Sequence, residues 1–428
     1  MKQKIELLAP AGNLDSLLAA VHSGADAVYF GFGELNARRN AKNFDEDALR
    51  EASRICKERG VKMHMTVNTM VYDREYEAVL RTLEIACKYG IDALIVQDLG
   101  VAALAHRAAS EMPLHASTQL TVHNVSGAWQ AKELGFSRVV LAREMSRTEI
   151  AAITREVPVE TEVFVHGALC MCVSGQCYMS SVIGERSGNR GACSQPCRLT
   201  YDLTDGRGRS YLSGRHLLSV RDLDLSGHIG ELLDAGVTSF KIEGRLKDIN
   251  YIRNVVAYYR RAVDEALAAR PQLRRSSVGV SRPDFRPDPA KSFTRGASEY
   301  FFAGRSAGVA SFDTPKSVGE YVGRVVSCDA RSFRLDGDVE LAPGDGICFV
   351  TGRGPSGTNV NAVEGRRITP NRMEGIRPGV ELYRNFDRRF NLVLERSRTR
   401  RVIPVTARVE FMDGGLRLSY RDCEGFEA

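Results

Sequence analysis

The chain contains one tryptophan among 428 residues, and aromatic side chains make up only 7% of it. No stretch approaches the roughly 20 consecutive apolar residues that a membrane helix needs, so no membrane association is expected. Met1-Lys2-Gln3-Lys4 leads straight into a short apolar run, without a long hydrophobic region or a small-residue cleavage site. No secretory signal is visible there, and the expected location is cytoplasmic. Several catalytic signatures are missing as well. There is no His-Glu-x-x-His helix for zinc hydrolysis, and no Gly-x-Ser-x-Gly elbow for a serine nucleophile. A Gly-x-Gly-x-x-Gly turn after the first strand is lacking too, as is the C-x3-C-x2-C triplet of radical-SAM proteins.

Cysteine is thinly spread except in one place. Five of the ten, Cys170, Cys172, Cys177, Cys193 and Cys197, fall within 28 residues. The others (Cys56, Cys87, Cys328, Cys348 and Cys423) are scattered singly and read as ordinary thiols. In a reducing compartment such clustering points to metal or chemistry rather than to disulfides. With Cys170, Cys177, Cys193 and Cys197 as ligands, the intervening residues number six, fifteen and three. That spacing lacks the paired C-x2-C knuckles of a zinc ribbon, whereas an iron-sulfur cluster tolerates irregular spacing. Structural zinc, a Cys170 nucleophile activated by His166, and no metal at all stay open. Gly184, Gly188 and Gly191 would let backbone amides approach cluster sulfurs, and Arg186, Arg190 and Arg198 would offset thiolate charge.

Residues 1–270 alternate short β-rich runs with helix-period segments. The runs lie at 5–8, 27–30, 62–67, 93–96, 114–117, 138–141, 162–165 and 239–242, and several helical segments are closed by Gly24, Gly60, Gly90, Gly135 and Gly236. Eight such units predict a (β/α)8 barrel, an α/β fold of the TIM type. Its chemistry belongs at the C-terminal strand ends. Polar residues there are Asn36, Arg38, Asn68, Gln97, Asp98, His115, Gln119, Arg143, Glu144, His166, Glu243 and Arg245. The set suits a small carboxylated ligand or a nucleobase. The cysteines fall after the seventh strand, in a loop of about 167–226, and therefore at the mouth.

All of the net charge of +6 is C-terminal. Residues 1–270 hold 33 Lys+Arg against 33 Asp+Glu, and residues 271–428 hold 26 against 20, with 24 arginines among the 26. Arginine grips phosphate and stacks on bases, so nucleic acid is an expected partner, although a solvated basic surface would read the same. Residues 271–290, rich in Pro, Ser and Arg, read as a linker. Short strands with turn signals then predict a small all-β barrel over 291–400, and residues 401–428 read as the opening of a further β segment.

Specific strings add a family resemblance. Leu7-Leu8-Ala9-Pro10-Ala11-Gly12-Asn13, His115-Ala116-Ser117-Thr118-Gln119, His166-Gly167-Ala168-Leu169-Cys170, Ser174-Gly175-Gln176-Cys177 and Lys241-Ile242-Glu243-Gly244-Arg245-Leu246-Lys247 resemble the U32 (collagenase-like) peptidase family from Lys4 to about Ala268. The resemblance implies a 4Fe-4S cluster on Cys170, Cys177, Cys193 and Cys197, with Cys172 outside the pattern. It also implies 5-hydroxylation of a tRNA uridine or a 23S rRNA cytidine, with prephenate as cosubstrate and an electron donor left unidentified. Within that reading His115, His166, Lys241 and Glu243 are candidate catalytic groups. Asn68, Gln97, Gln119, Arg143 and Arg245 are candidate cosubstrate or RNA contacts. A collagenase-like peptidase and a non-catalytic RNA-binding protein are the alternatives.

Overall fold

The apolar runs that read as strands are those buried on both faces, as a parallel sheet covered by helices requires. In the computed structural model, which describes residues 2–39, 41–337, 340–351 and 354–428, all eight form. They are β1 (Gln3–Pro10), β2 (Ala27–Gly31), β3 (Lys62–Val67), β4 (Ala93–Val96), β5 (Leu114–Ala116), β6 (Arg138–Val140), β7 (Glu160–Gly167) and β8 (Ser239–Ile242). Each pairs in parallel with its sequence neighbour, and β8 pairs with both β7 and β1, which closes the ring. Side-chain caps start the helices between them: Asn13, Asp45, Asp98, Asn124 and Ser146 each accept a backbone N–H of the first turn. The five glycines expected at helix ends all have positive φ, the conformation a helix C-terminus turns through.

The lumen is not the stack of branched aliphatic side chains usual for such barrels. Arg138 from β6 bonds Glu6 from β1 and, at 3.2 Å, Glu162 from β7. Ser239 Oγ donates to both carboxylates, at 3.0 and 3.2 Å, and Lys241 Nζ donates to Glu162 at 2.7 Å. Two buried anions are thus balanced by two buried cations. His64 lies 4.0 Å from Glu6 and edge-on to His115, with ring centroids 4.8 Å apart. Burial holds His64 down at about 4 and His115 well below the usual histidine value, so both stay neutral.

The second half departs from its expected outline. Residues 271–290 are a pinned strap rather than a free linker. Leu273–Arg275 extends the sheet beside β1, and Val280–Ser281 pairs with Arg401–Val402. Arg401, 4% exposed, donates to the carbonyls of Arg59 and Ala25 at 2.9 Å and to Ser277 at 2.6 Å. A Cβ on Gly279 would stand 2.1 Å from the Arg401 Nε, so only glycine lets that side chain pass.

The small closed barrel has six strands between Glu320 and Phe386, fewer residues than the 291–400 expected. Ala297–Ser298 instead joins the large sheet through Asp222–Asp224. Helix Arg388–Arg396 docks on helix Ile249–Ala268 through Asn391 to Asn250 at 3.0 Å and the Leu394 carbonyl to Arg253 at 2.9 Å. Beyond Arg401 the chain forms the hairpin Val405–Met412 and Gly415–Asp422. Among the described residues, no helix is long and apolar enough to cross a membrane.

The neutral lumen sets the acid response. His64 protonates near its ordinary 6.5 when unfolded but at about 4 when folded, so between those values the unfolded chain binds more protons and stability falls as pH falls. Below about 4.5 Glu6, held near 2 by Arg138 against the upward push of burial, extends the loss. Urea titrations at stepped pH are expected to lose about 3 kcal/mol from His64 between pH 6.5 and 4, with a shallower slope for His64→Gln. A midpoint constant over that window would contradict the buried, neutral assignment.

Candidate functional site

Above the ionic layer the lumen opens into a cavity of about 410 Å³ at the C-terminal ends of the strands. Its floor is cationic. Lys241 rises from β8 over the Tyr29 ring, 4.6 Å from the centroid. Just past the strand ends, Arg38 and Arg143 reach Glu243 at 3.2 and 3.5 Å. Arg245 donates to Asn36 Oδ1 and Thr66 Oγ1, at 3.1 and 3.2 Å. Burial alone would raise the Glu243 carboxyl, but Arg38, then Arg143 and Arg245, hold it below the usual range. Burial, with Arg38 adding, pushes Arg245 down to about 10. Counting Lys241 with its partner Glu162, four cations face two carboxylates, so the floor has positive charge to spare.

Arg143 is the least satisfied of these cations. Its side chain is 7% exposed and stacks on Phe164 at 4.1 Å, one Nη meets the Ala168 carbonyl only at 3.4 Å, and its buried Nε has no acceptor among the described residues. Beside it Asn68 donates to Gln119 Oε1 at 3.1 Å and accepts from Ala37 N at 3.1 Å, forming an amide wall.

The opposite wall is the cysteine segment. Glu144, from the loop after β6, accepts from Ser174 N and Oγ at 2.9 Å and fixes the left-handed turn there. Arg198 ties the far end down, donating to Ser219 Oγ and the Val220 carbonyl at 2.8 Å and to the Leu169 carbonyl at 2.9 Å. At Gly191 (φ +77°) a Cβ would lie 2.3 Å from the Asn36 carbonyl, so the segment sits hard against the strand-end loops. Cys170, Cys177, Cys193 and Cys197 line the cavity and Cys172 does not. The Gln195 N–H points at Cys193 Sγ from 3.3 Å. A Cβ on Gly175 or Gly188 would stand 3.7 or 3.9 Å from Cys170 Sγ or Cys193 Sγ. Burial pushes the thiols of Cys172 and Cys197 up. Among the described residues no three Cys, His, Asp or Glu converge as a site for one ion. Four thiols on one wall, approached by backbone amides and Arg198, nevertheless form a donor set that fits a thiolate-bound iron-sulfur group.

Three of the candidate catalytic and contact residues fall outside the cavity, as do Asn36, Asp98 and Glu144 of the wider strand-end set. His115 points into the lumen below the floor, against His64. His166 packs between Asp224 and the helix Ile249–Ala268, with Nδ1 3.3 Å from Tyr259 Oη, and burial pushes its pKa down. Gln97 is buried away from the cavity lining. No histidine therefore lines the cavity among the described residues. Asp98 caps the helix Leu99–Ala108. The one Gly-x-Ser-x-Gly string, Gly304 to Gly308, runs from a bend into the short 3-10 helix Ala307–Val309 and is not a strand-to-helix elbow. Its Ser306 shares a hollow with His228, whose nitrogens are both engaged, by Glu231 at 2.7 Å and Glu299 at 3.0 Å. Missed at the cavity were Lys247, pushed down to about 8 by burial, and Phe293 and Arg295. Lys247 lies two residues past Arg245 and was within reach of the strand-end rule. Phe293 and Arg295 arrive from distant chain, beyond the reach of the strand-end rule.

Comparison with known proteins places these features among relatives. The chain is 39% identical over 414 residues to the 23S rRNA 5-hydroxycytidine C2501 synthase of Escherichia coli (strain K12), covering 94% of this chain and 62% of that protein. It is 39% identical over 276 residues to tRNA hydroxylation protein P1 of Bacillus subtilis (strain 168), covering 63% and 65%. It thus spans less than two thirds of either relative's length. It is also 34% identical over 425 residues to a collagenase of Porphyromonas gingivalis (strain ATCC BAA-308 / W83), covering 90% and 98%. A solved U32 peptidase aligns with 57% of the chain and 95% of its own, at 14% identity and a TM-score of 0.38. The model of peptidase family U32 matches residues 12–310, which carry seven of the eight barrel strands, the cationic floor and the thiol wall, and the chain belongs to that family.

Proposed function

We propose that the chain hydroxylates a pyrimidine base of RNA, a tRNA uridine or a 23S rRNA cytidine, using an iron-sulfur cluster and a small carboxylated cosubstrate of the prephenate kind. The observation that carries this reading is a thiol wall facing a cationic floor across one cavity. Cys170, Cys177, Cys193 and Cys197 would hold the cluster, which distributes its ligands over four iron corners and asks less convergence of them than one tetrahedral ion does. When bound, it would supply one-electron chemistry. Arg143, Arg245 and Arg38 offer planar forks to carboxylates, with the unpartnered Arg143 Nε as a spare donor. Glu243 keeps those guanidiniums apart and oriented. Lys241, anchored by Glu162, is the group positioned to hold a proton at the floor, and Asn68 and Gln119 present amide edges to a base.

The names of the Escherichia coli and Bacillus subtilis relatives support RNA as substrate. The arginine surplus of the second half supports it less than its count suggests. Arg384 is buried against Glu320 and Asp345, Arg367 pairs with Asp329, Arg324 with Glu381, and Arg401 is internal. The peptidase reading draws on the collagenase relative, but a cavity without histidine gives its thiols no imidazole base.

Protein purified without oxygen is expected to be brown, with about four irons per chain. Serine at position 170, 177, 193 or 197 should bleach it and serine at 172 should not; colourless protein with one zinc would eliminate the cluster. RNA from cells lacking the chain should lose one hydroxylated pyrimidine, whereas a binding-only protein would leave base composition unchanged. Arg143→Ala is expected to weaken prephenate binding, followed by calorimetry, by about 10- to 100-fold, the worth of hydrogen bonds to a charged group. Unchanged affinity and hydroxylation would refute the carboxylate role.

A further inference from the structure

We infer that the rim of the mouth carries a stacking platform for an unpaired nucleotide beside the target base, built on Tyr72; this rests on the RNA reading above. A cavity of about 410 Å³ at the mouth of a barrel admits a base only after it has left its stack. The neighbouring nucleotide then lacks a stacking partner, and an aromatic face at the rim would replace it.

Tyr72 is placed for this. It follows the cavity-lining Asn68 by four residues, in the loop after β3, and is 50% exposed. Two guanidiniums share its ring, Arg190 at 4.3 Å and Arg74 at 4.6 Å from the centroid. They are not equivalent. Arg190 belongs to the cysteine segment and is fixed from both sides, by Glu75 at 2.5 and 3.1 Å and by the Met70 carbonyl. Arg74 is exposed and its guanidinium has no hydrogen bond or ion pair among the described residues, so beyond a through-space attraction to Glu75 the ring is what it rests on.

An exposed guanidinium over a ring is worth a factor of about two to five, whereas a base stacked on an aromatic side chain is worth about 5- to 150-fold. A base therefore displaces Arg74, and the released fork is free to take the adjacent phosphate. Arg190 stays as the backing. Tyr178, directly after the cavity-lining Cys177 and 68% exposed, offers a second aromatic face on the same rim. The chemistry is that of single-stranded or looped RNA, in which bases can be splayed, and not of a regular duplex.

The test is fluorescence anisotropy on the full chain, with a labelled oligouridine of about 12 nucleotides and an RNA duplex of equal length. Wild type should prefer the single strand. Tyr72→Ala should weaken that binding by about 5- to 150-fold with an unchanged melting temperature, and Tyr72→Phe should retain it. Arg74→Gln should lower the salt slope by about one. If Tyr72→Ala binds like wild type while Arg334→Gln or Arg377→Gln in the small barrel abolishes binding, the platform is wrong and the RNA reading survives. If wild type binds neither probe, both fall.

Discussion

Glu6, Glu162, Arg138 and Lys241 can leave water only as a set, because each would be an uncompensated charge in the lumen without the others. Breaking such a set typically costs about 3 to 5 kcal/mol, while an aliphatic lumen would serve stability at least as well. The ionic layer is therefore better understood through what it positions than through what it stabilises. It spans β1, β6, β7 and β8, the strands on either side of barrel closure, and so fixes the register of the seam. Its upper member, Lys241, is also the floor of the cavity.

Electrostatics pass upward from that layer. Lys241, neutralised from below by Glu162, presents its ammonium between Tyr29 and Phe164, and the arginines above share the single carboxylate of Glu243. Anions entering the mouth meet preorganised donors and little competing negative charge. The thiol wall is assembled differently, by a segment that carries little regular structure and is held by Glu144, Arg198 and the close approach at Gly191. A rigid floor and a strapped-down wall meet across the cavity. Each comes from a different stretch of chain, and they are joined at Asn36, whose carbonyl meets Gly191 and whose side chain accepts from Arg245.

The barrel was legible because each strand is an uninterrupted buried run and each helix carries its own start and stop residues. Asn68, Gln119, Arg143, Arg245 and Glu243 were legible for the same reason, since strand ends point to the mouth, while Lys241, inside the last strand, came only with the family string. His115 and His166 were not, because period-two alternation says that a side chain faces in or out but not how deep in the lumen it sits or which helix covers it. Gln97 failed likewise. The strap was misread because proline, serine and arginine usually mark a tether. Its order comes from a buried arginine more than a hundred residues later, which no local pattern announces. The arginine surplus misled in the same way, since a count cannot separate guanidiniums facing solvent from those facing Glu320 or Asp329.

That strap also bears on how the chain is made. β1 is flanked by β8 and by Leu273–Arg275, and the loops beneath it hold the Arg401 side chain at Ala25 and Arg59. As the nascent protein leaves the ribosome at about 5 to 20 residues per second, the first strand and the first two helices wait for partners that emerge hundreds of residues later. Until then the early βα units expose apolar edges and a half-formed ionic lumen, the kind of surface that chaperones recognise. Barrel closure and attachment of the second half are thus late, coupled events in biosynthesis rather than successive, independent ones.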